Sequence, residues 1–309
     1  MKLPSKVNIV EVGPRDGLQA EARFIPTSKK IELVDALSRT GLRKIEVTSF
    51  VHPKAIPQLR DAREVLSGIQ KRPGITYSVL IPNIRGAEMA IEFGVDEIRI
   101  PVCASETVNQ RNVRMSIDES LESAGKIHGL AQEAEIPLEV AVALAFGCPF
   151  EGEILPEKVI SMIGRLHDTG ITRVSITDPA GIANPAQVRE LTALLLETFP
   201  DTAFSLHLHD TRGLGLSCVL AALEAGLTAF DTSIGGLGGC PFVPEATGNI
   251  VTEDLVNMLE EMGISTGIDL QELIRCSELA QDIVGRSLGS RILKAGTREQ
   301  LFQSVAAGT

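Results

Sequence analysis

The chain has 309 residues, 44% of them hydrophobic, enough to bury the core of one large α/β barrel or of two ordinary domains. A net charge of -11 with no Lys/Arg block argues against nucleic acid and anionic membranes as partners, though not against a small anionic substrate. No apolar run approaches transmembrane length, no signal or transit peptide is visible, and the five cysteines are scattered and odd in number, so a reducing cytoplasm is the expected compartment.

Short apolar runs alternate with longer amphipathic stretches from end to end. A strand over Val7–Val12 leads to a helix over Ser28–Thr40, with Thr27 or Ser28 as its cap. Strand two covers Lys44–Thr48. Strand three, Thr76–Ile81, leads to a helix over Ile84–Phe93 that Gly94 closes. Strand four, Glu97–Pro101, precedes a helix over Ile117–Glu135. Strand five, Leu138–Leu144, precedes Pro156–Thr169, closed by Gly170. Strand six, Arg173–Thr177, precedes Pro185–Thr198. Strand seven, Ala203–Leu208, precedes Ser217–Ala225, closed by Gly226, and strand eight is Ala229–Ser233.

Eight such units predict an α/β fold of the (β/α)₈ TIM-barrel type. A doubly wound sheet is the alternative, but no Gly-rich dinucleotide fingerprint follows strand one. A helix over Leu270–Val284 belongs to a C-terminal helical appendage of about residues 266–309. The chain reads as one catalytic domain, 1–309.

In barrels of this type the chemistry sits where strands end. Residues with reactive side chains fall there repeatedly. Arg15 and Asp16 follow strand one, Glu46 closes strand two, Ser105 follows strand four, Asp178 follows strand six, and Asn249 follows strand eight. His207 and His209 close strand seven one residue apart, so both imidazoles share a face and aim at one point, as a divalent metal needs. The competing reading is a pair of ordinary structural histidines.

Asp16 is the best carboxylate ligand and Asn249 offers a neutral oxygen, although each also suits a turn. Nitrogen and oxygen donors together suit magnesium, manganese or zinc, and no cysteine pair has the spacing of a thiolate zinc site. Arg15 is suited to stabilising an enolate oxygen, or simply to pairing with Glu46. In Gly235-Gly-Leu-Gly-Gly-Cys-Pro-Phe242, four glycines precede one thiol, Cys240. Such a loop can close over a ligand and present the thiol for proton transfer. An incidental thiol is the plain reading, and a phosphate loop lacks its Gly-Lys ending. Cys148 reads as a rim residue without assigned chemistry. Cys103, Cys218 and Cys276 read as small hydrophobes. Tyr77 and the phenylalanines read as core.

Three segments, Val10-Glu-Val-Gly-Pro-Arg-Asp-Gly-Leu-Gln19, His207-Leu-His-Asp210 and Gly236-Leu-Gly-Gly-Cys-Pro-Phe242, resemble the 3-hydroxy-3-methylglutaryl-CoA lyase branch of the metal-dependent lyase and Claisen-condensing barrels. The resemblance spans nearly the whole chain. It implies a carbon–carbon lyase of leucine degradation that cleaves 3-hydroxy-3-methylglutaryl-CoA to acetoacetate and acetyl-CoA, with Mg²⁺ or Mn²⁺ as cofactor and a homodimer as assembly. Asp16, His207, His209 and Asn249 would hold the cation, and Asp16 or His207 would take the substrate proton. Arg15 would stabilise the enolate, and Cys240 would protonate it. Glu46 and Asp178 would support Arg15 and the metal-side groups, with Gln19, Ser105 and Ser175 near the substrate. Two departures, Ala141 where the family has Tyr and Glu245 where it reads Pro-Gly-Ala, also admit a related thioester such as citramalyl-CoA. A condensing synthase ranks lower.

Overall fold

The apolar runs do become strands, and parallel pairing in sequential order closes them into a barrel. The strands are β1 (Asn8–Glu11), β2 (Lys44–Ser49), β3 (Thr76–Leu80), β4 (Glu97–Cys103), β5 (Leu138–Ala143), β6 (Arg173–Asp178), β7 (Ala203–Leu208) and β8 (Ala229–Thr232). β8 pairs with β1, Val10 opposite Asp231, and completes the ring. The structure, a computed structural model, describes residues 3–239 and 247–307.

The helices that follow the strands are α1 (Thr27–Leu37), α2 (Ala62–Gly68), α3 (Ile84–Phe93), α4 (Glu106–Val113), α5 (Ile117–Glu133), α6 (Pro156–Asp168), α7 (Pro185–Thr198) and α8 (Gly215–Ala225). After β8 come α9 (Thr252–Glu261), α10 (Leu270–Val284), α11 (Arg291–Ala295) and α12 (Arg298–Ala307). Local chemistry fixes several of their ends. Ser116 with Glu119 and Asn184 with Gln187 form reciprocal capping boxes at α5 and α7. Gly94 and Gly226 take left-handed conformations that end α3 and α8, as their positions predict. Thr27 does not cap α1. Pro26 occupies the cap position, and the Thr27 hydroxyl instead donates to Asp61 Oδ2 at 2.7 Å.

The register sorts the strand side chains into two sets, because residues paired across parallel strands share a face. Ile45, Tyr77, Val79, Ile98, Ile100, Val140, Val142, Val174, Ile176, Leu206 and Phe230 point outward and pack under the helices as the main core. The inner face carries Lys44, Glu46, Glu97, Arg99, Glu139, Ser175, Ser205, His207 and Asp231. Two expectations about the core change. Glu46 does not close β2; the strand runs on to Ser49 through a bulge between Glu46 and Thr48, which leaves Glu46 inside the barrel. Phe150 and Phe302 are exposed rather than core, and Arg111 lies 4.2 Å from the centre of the Phe150 ring.

Candidate active site

The C-terminal ends of the strands surround a cavity of about 370 Å³. Arg15, Asp16, Gln19, Arg99, His207 and His209 supply its polar wall, and Ala141, Ala143, Pro101 and Cys103 make one side from small residues. A single π-helical turn after β1, Gly13–Gly17, presents Arg15 and Asp16, both buried. β7 presents His207, and His209 follows its last residue in an isolated bridge with Asn249; the ring centres lie 5.3 Å apart, so the extended backbone still sets both rings on one side.

Asp16, His207 and His209 are all buried, and one ligand atom from each lies within 4.8 Å of the other two. Asn249 arrives from the segment after β8. Its Nδ2 donates to Asp16 Oδ2 at 2.7 Å and to the Leu237 carbonyl at 3.0 Å, which leaves its buried Oδ1 without a hydrogen-bond partner. A buried amide oxygen without a partner is costly unless something else engages it. The second nitrogens of both rings are also placed. His209 Nδ1 lies 3.3 Å from the Thr247 carbonyl, and His207 Nδ1 lies 3.4 Å from Asp231 Oδ2. An acceptor behind each ring fixes the tautomer that leaves Nε2 for a metal. Two imidazoles, one carboxylate and one amide oxygen fit a divalent cation of the magnesium, manganese or zinc kind.

Burial by itself would raise the Asp16 pKa. The Arg15 guanidinium is the main opposing influence, and the carboxyl is held well below the usual range. Arg15 Nη1 donates to Asp16 Oδ1 at 2.6 Å, Arg15 Nε donates to Glu46 Oε2 at 2.9 Å, and Gln19 Nε2 donates to Asp16 Oδ1 at 2.9 Å. Arg15 is therefore clamped by two carboxylates while bordering the cavity.

The described start of the glycine-rich segment lies against this cluster. Gly238 sits at φ +126, and a Cβ there would lie 2.6 Å from Asn249 Nδ2 and 3.4 Å from Asp16 Oδ2. Only glycine lets the backbone approach the ligands so closely. Gly239 borders the cavity. Cys240 and Glu245 lie outside the described residues.

Two expected site residues are placed differently, and Asp178 supports the metal side but not Arg15. Ser105 is fully buried, caps α4 by accepting from Val108 N at 3.2 Å, and is contacted by Cys148 Sγ at 3.0 Å; it does not border the cavity. Ser175 lies one inward step below Thr177, which is the residue of β6 on the cavity wall. Asp178 makes no bond to Arg15. Its Oδ2 accepts from Ala183 N at 2.7 Å and its carbonyl accepts from His209 N at 3.1 Å, so it braces the histidine backbone. Burial raises its pKa against the opposing N–H of Ala183.

Comparison with known proteins settles the family. The HMGL-like family pattern matches residues 6–280. The chain belongs to the HMGL-like family. Hydroxymethylglutaryl-CoA lyase YngG of Bacillus subtilis is 46% identical over 294 residues, which cover 95% of this chain and 98% of that protein. The human mitochondrial hydroxymethylglutaryl-CoA lyase is 43% identical over 293 residues, covering 95% and 90%. An HMG-CoA lyase from Acinetobacter baumannii, solved in complex with coenzyme A and 3-methylmalate, superposes with a TM-score of 0.92 at 44% identity, covering 96% of this chain and 97% of that one.

Sequence reasoning missed Arg99, Glu139 and Asp231. Arg99 borders the cavity and bonds both carboxylates. The available signal was a charged residue at alternate positions of strands whose other residues are apolar.

Proposed function

We propose that this HMGL-like chain is a divalent-metal-dependent carbon–carbon lyase that cleaves 3-hydroxy-3-methylglutaryl-CoA to acetoacetate and acetyl-CoA. The observation that carries this reading is the convergence of Asp16, His207 and His209, with the unpartnered oxygen of Asn249 beside them, in a cavity that Arg15 also borders. The full-length likeness to lyases for this thioester supports the substrate.

Asp16, His207, His209 and Asn249 would hold the ion, with Mg²⁺ or Mn²⁺ as its identity. A divalent cation bound there supplies Lewis acidity, which lowers the pKa of the substrate hydroxyl. Asp16 or His207 would take the hydroxyl proton. The electron pair of the new carbonyl then expels the C2–C3 bonding pair, releasing acetoacetate and leaving the enolate of acetyl-CoA. Arg15, already fixed by Glu46, places positive charge against the enolate oxygen. Cys240 delivers a proton to the enolate carbon and is later reprotonated, so substrate and products balance.

The test is direct. Incubation of the purified chain with the thioester and Mg²⁺ should release acetoacetate and acetyl-CoA in equal amounts. Chelation should stop turnover, and Mg²⁺ or Mn²⁺ should restore it. Folded, metal-supplied protein that releases no acetyl-CoA would refute the reading.

Among the described residues, no helix is long and apolar enough to cross a membrane. The buried thiols Cys148, Cys218 and Cys276 fit the cytoplasm as the proposed compartment. Gel filtration tests the homodimer expected from the family likeness.

A further inference from the structure

The barrel interior carries a run of opposite charges that the chemistry above does not use. Arg173 Nη2 lies 2.8 Å from Glu97, Glu97 pairs with Lys44, and Lys44 lies 3.0 Å from Glu139. Glu139 Oε2 lies 2.6 Å from Arg99 Nη2, and Arg99 Nη1 lies 2.7 Å from Asp231 Oδ2. From Arg99 the run divides toward two residues of the site. Asp231 Oδ2 is the atom 3.4 Å from His207 Nδ1. Glu46 Oε2, 3.8 Å from Arg99 Nη1, is the atom that holds Arg15 at 2.7 Å.

Stability alone does not explain this arrangement. Ion pairs buried this deeply gain little over apolar packing of the same volume, because desolvation of both partners offsets their attraction. The interior of such barrels is ordinarily filled by branched apolar side chains in layers. Arg99 is 1% exposed, yet it touches Glu139, Asp231 and the vicinity of Glu46 at once. A lysine ammonium has no planar fork to grip two carboxylates in fixed directions; a guanidinium does.

We propose that Arg99 is a positioning residue for the reaction. It fixes Asp231 behind His207, so that the imidazole keeps Nε2 toward the cation, and it fixes Glu46 behind Arg15, so that the guanidinium stays aimed at the cavity. One residue thus sets the orientation of a metal ligand and of the enolate-facing cation together. This inference rests on the reading that Asp16, His207, His209 and Asn249 hold a divalent cation.

Mn²⁺ binding to the full-length chain, followed by the electron paramagnetic resonance signal of free Mn²⁺, separates this role from bulk support. Arg99→Gln should weaken Mn²⁺ binding by about 10- to 100-fold, the range for loss of an outer partner of a metal ligand, and should lower kcat more than it raises KM. Arg99→Lys should recover part of the affinity. Lys44→Gln, which removes a less buried partner of Glu139 that does not reach His207, should lower Tm but leave Mn²⁺ affinity within about twofold. If Arg99→Gln fails to fold, the Arg99→Gln/Glu139→Gln double variant, which removes one charge of each sign, carries the same readout. Wild-type chain that does not bind Mn²⁺ would overturn the metal reading itself. Wild-type binding with unchanged affinity in the folded Arg99 variant, or equal weakening by Lys44→Gln, would overturn the positioning role alone.

Discussion

The two faces of the barrel wall, one residue apart along β4, β5 and β6, differ in chemistry. Outward residues such as Ile98, Val140 and Ile176 are apolar and pack beneath the helices. Their inward neighbours Arg99, Glu139 and Thr177 are charged or polar and lead to the cavity. The outer face supplies the hydrophobic stabilisation, at about 25 cal/mol per Å² of apolar surface removed from water. The inner face gives up that gain in exchange for fixed side-chain directions. Stability and chemistry are therefore carried by alternate residues of the same strands, which makes them separable by mutation.

The largest effect that would test this separation is His207→Ala. Turnover and Mn²⁺ binding should be lost while the circular dichroism spectrum and cooperative melting persist; an equal collapse of the fold would blur the distinction. Next comes Arg15→Gln, for which kcat should fall about 10²- to 10³-fold, with Mn²⁺ affinity also weakened because Arg15 holds the Asp16 carboxylate. Ile98→Ala probes the opposite face beside Arg99. It should cost about 2–5 kcal/mol in denaturant unfolding, yet the folded fraction should turn over at the wild-type rate.

The smallest effect sharpens the picture at the top of β1. Burial pushes the Glu11 carboxyl from 4.5 up to about 8, against hydrogen bonds from Thr252, Ile234 and Gly13. The folded chain keeps this proton until about pH 8, whereas the unfolded chain releases it near 4.5. Each step upward through that window therefore favours unfolding. Glu11→Gln should flatten the decline of Tm between pH 5 and about 8, with activity little changed.

Much of this was legible before any coordinates. The eight strands stand out because each is a short apolar run bounded by turn residues, and the histidine pair stands out because alternation on a strand is a rigid rule. The short helices α2 and α4 did not. Glu106–Val113 has only two apolar residues, and its start is set by Ser105, which resembles a site residue until its cap is seen. The inner charges were hidden for a different reason. A charge within a strand ordinarily signals a solvent face, and only closure of the ring turns Arg99, Glu139 and Asp231 toward one another. Glu46 was found but misplaced by the bulge that lengthens β2.

Asp16 follows β1 and Asn249 follows β8, and these are the two strands whose pairing shuts the cylinder. An ion shared by Asp16 and Asn249 would work as a rivet across that seam, joining the first and last segments of the barrel in addition to performing chemistry. Stripping the metal should therefore loosen the β1–β8 junction ahead of the remaining strand pairs, and hydrogen–deuterium exchange at Val10 and Val12 should quicken before exchange at Val140 or Val142.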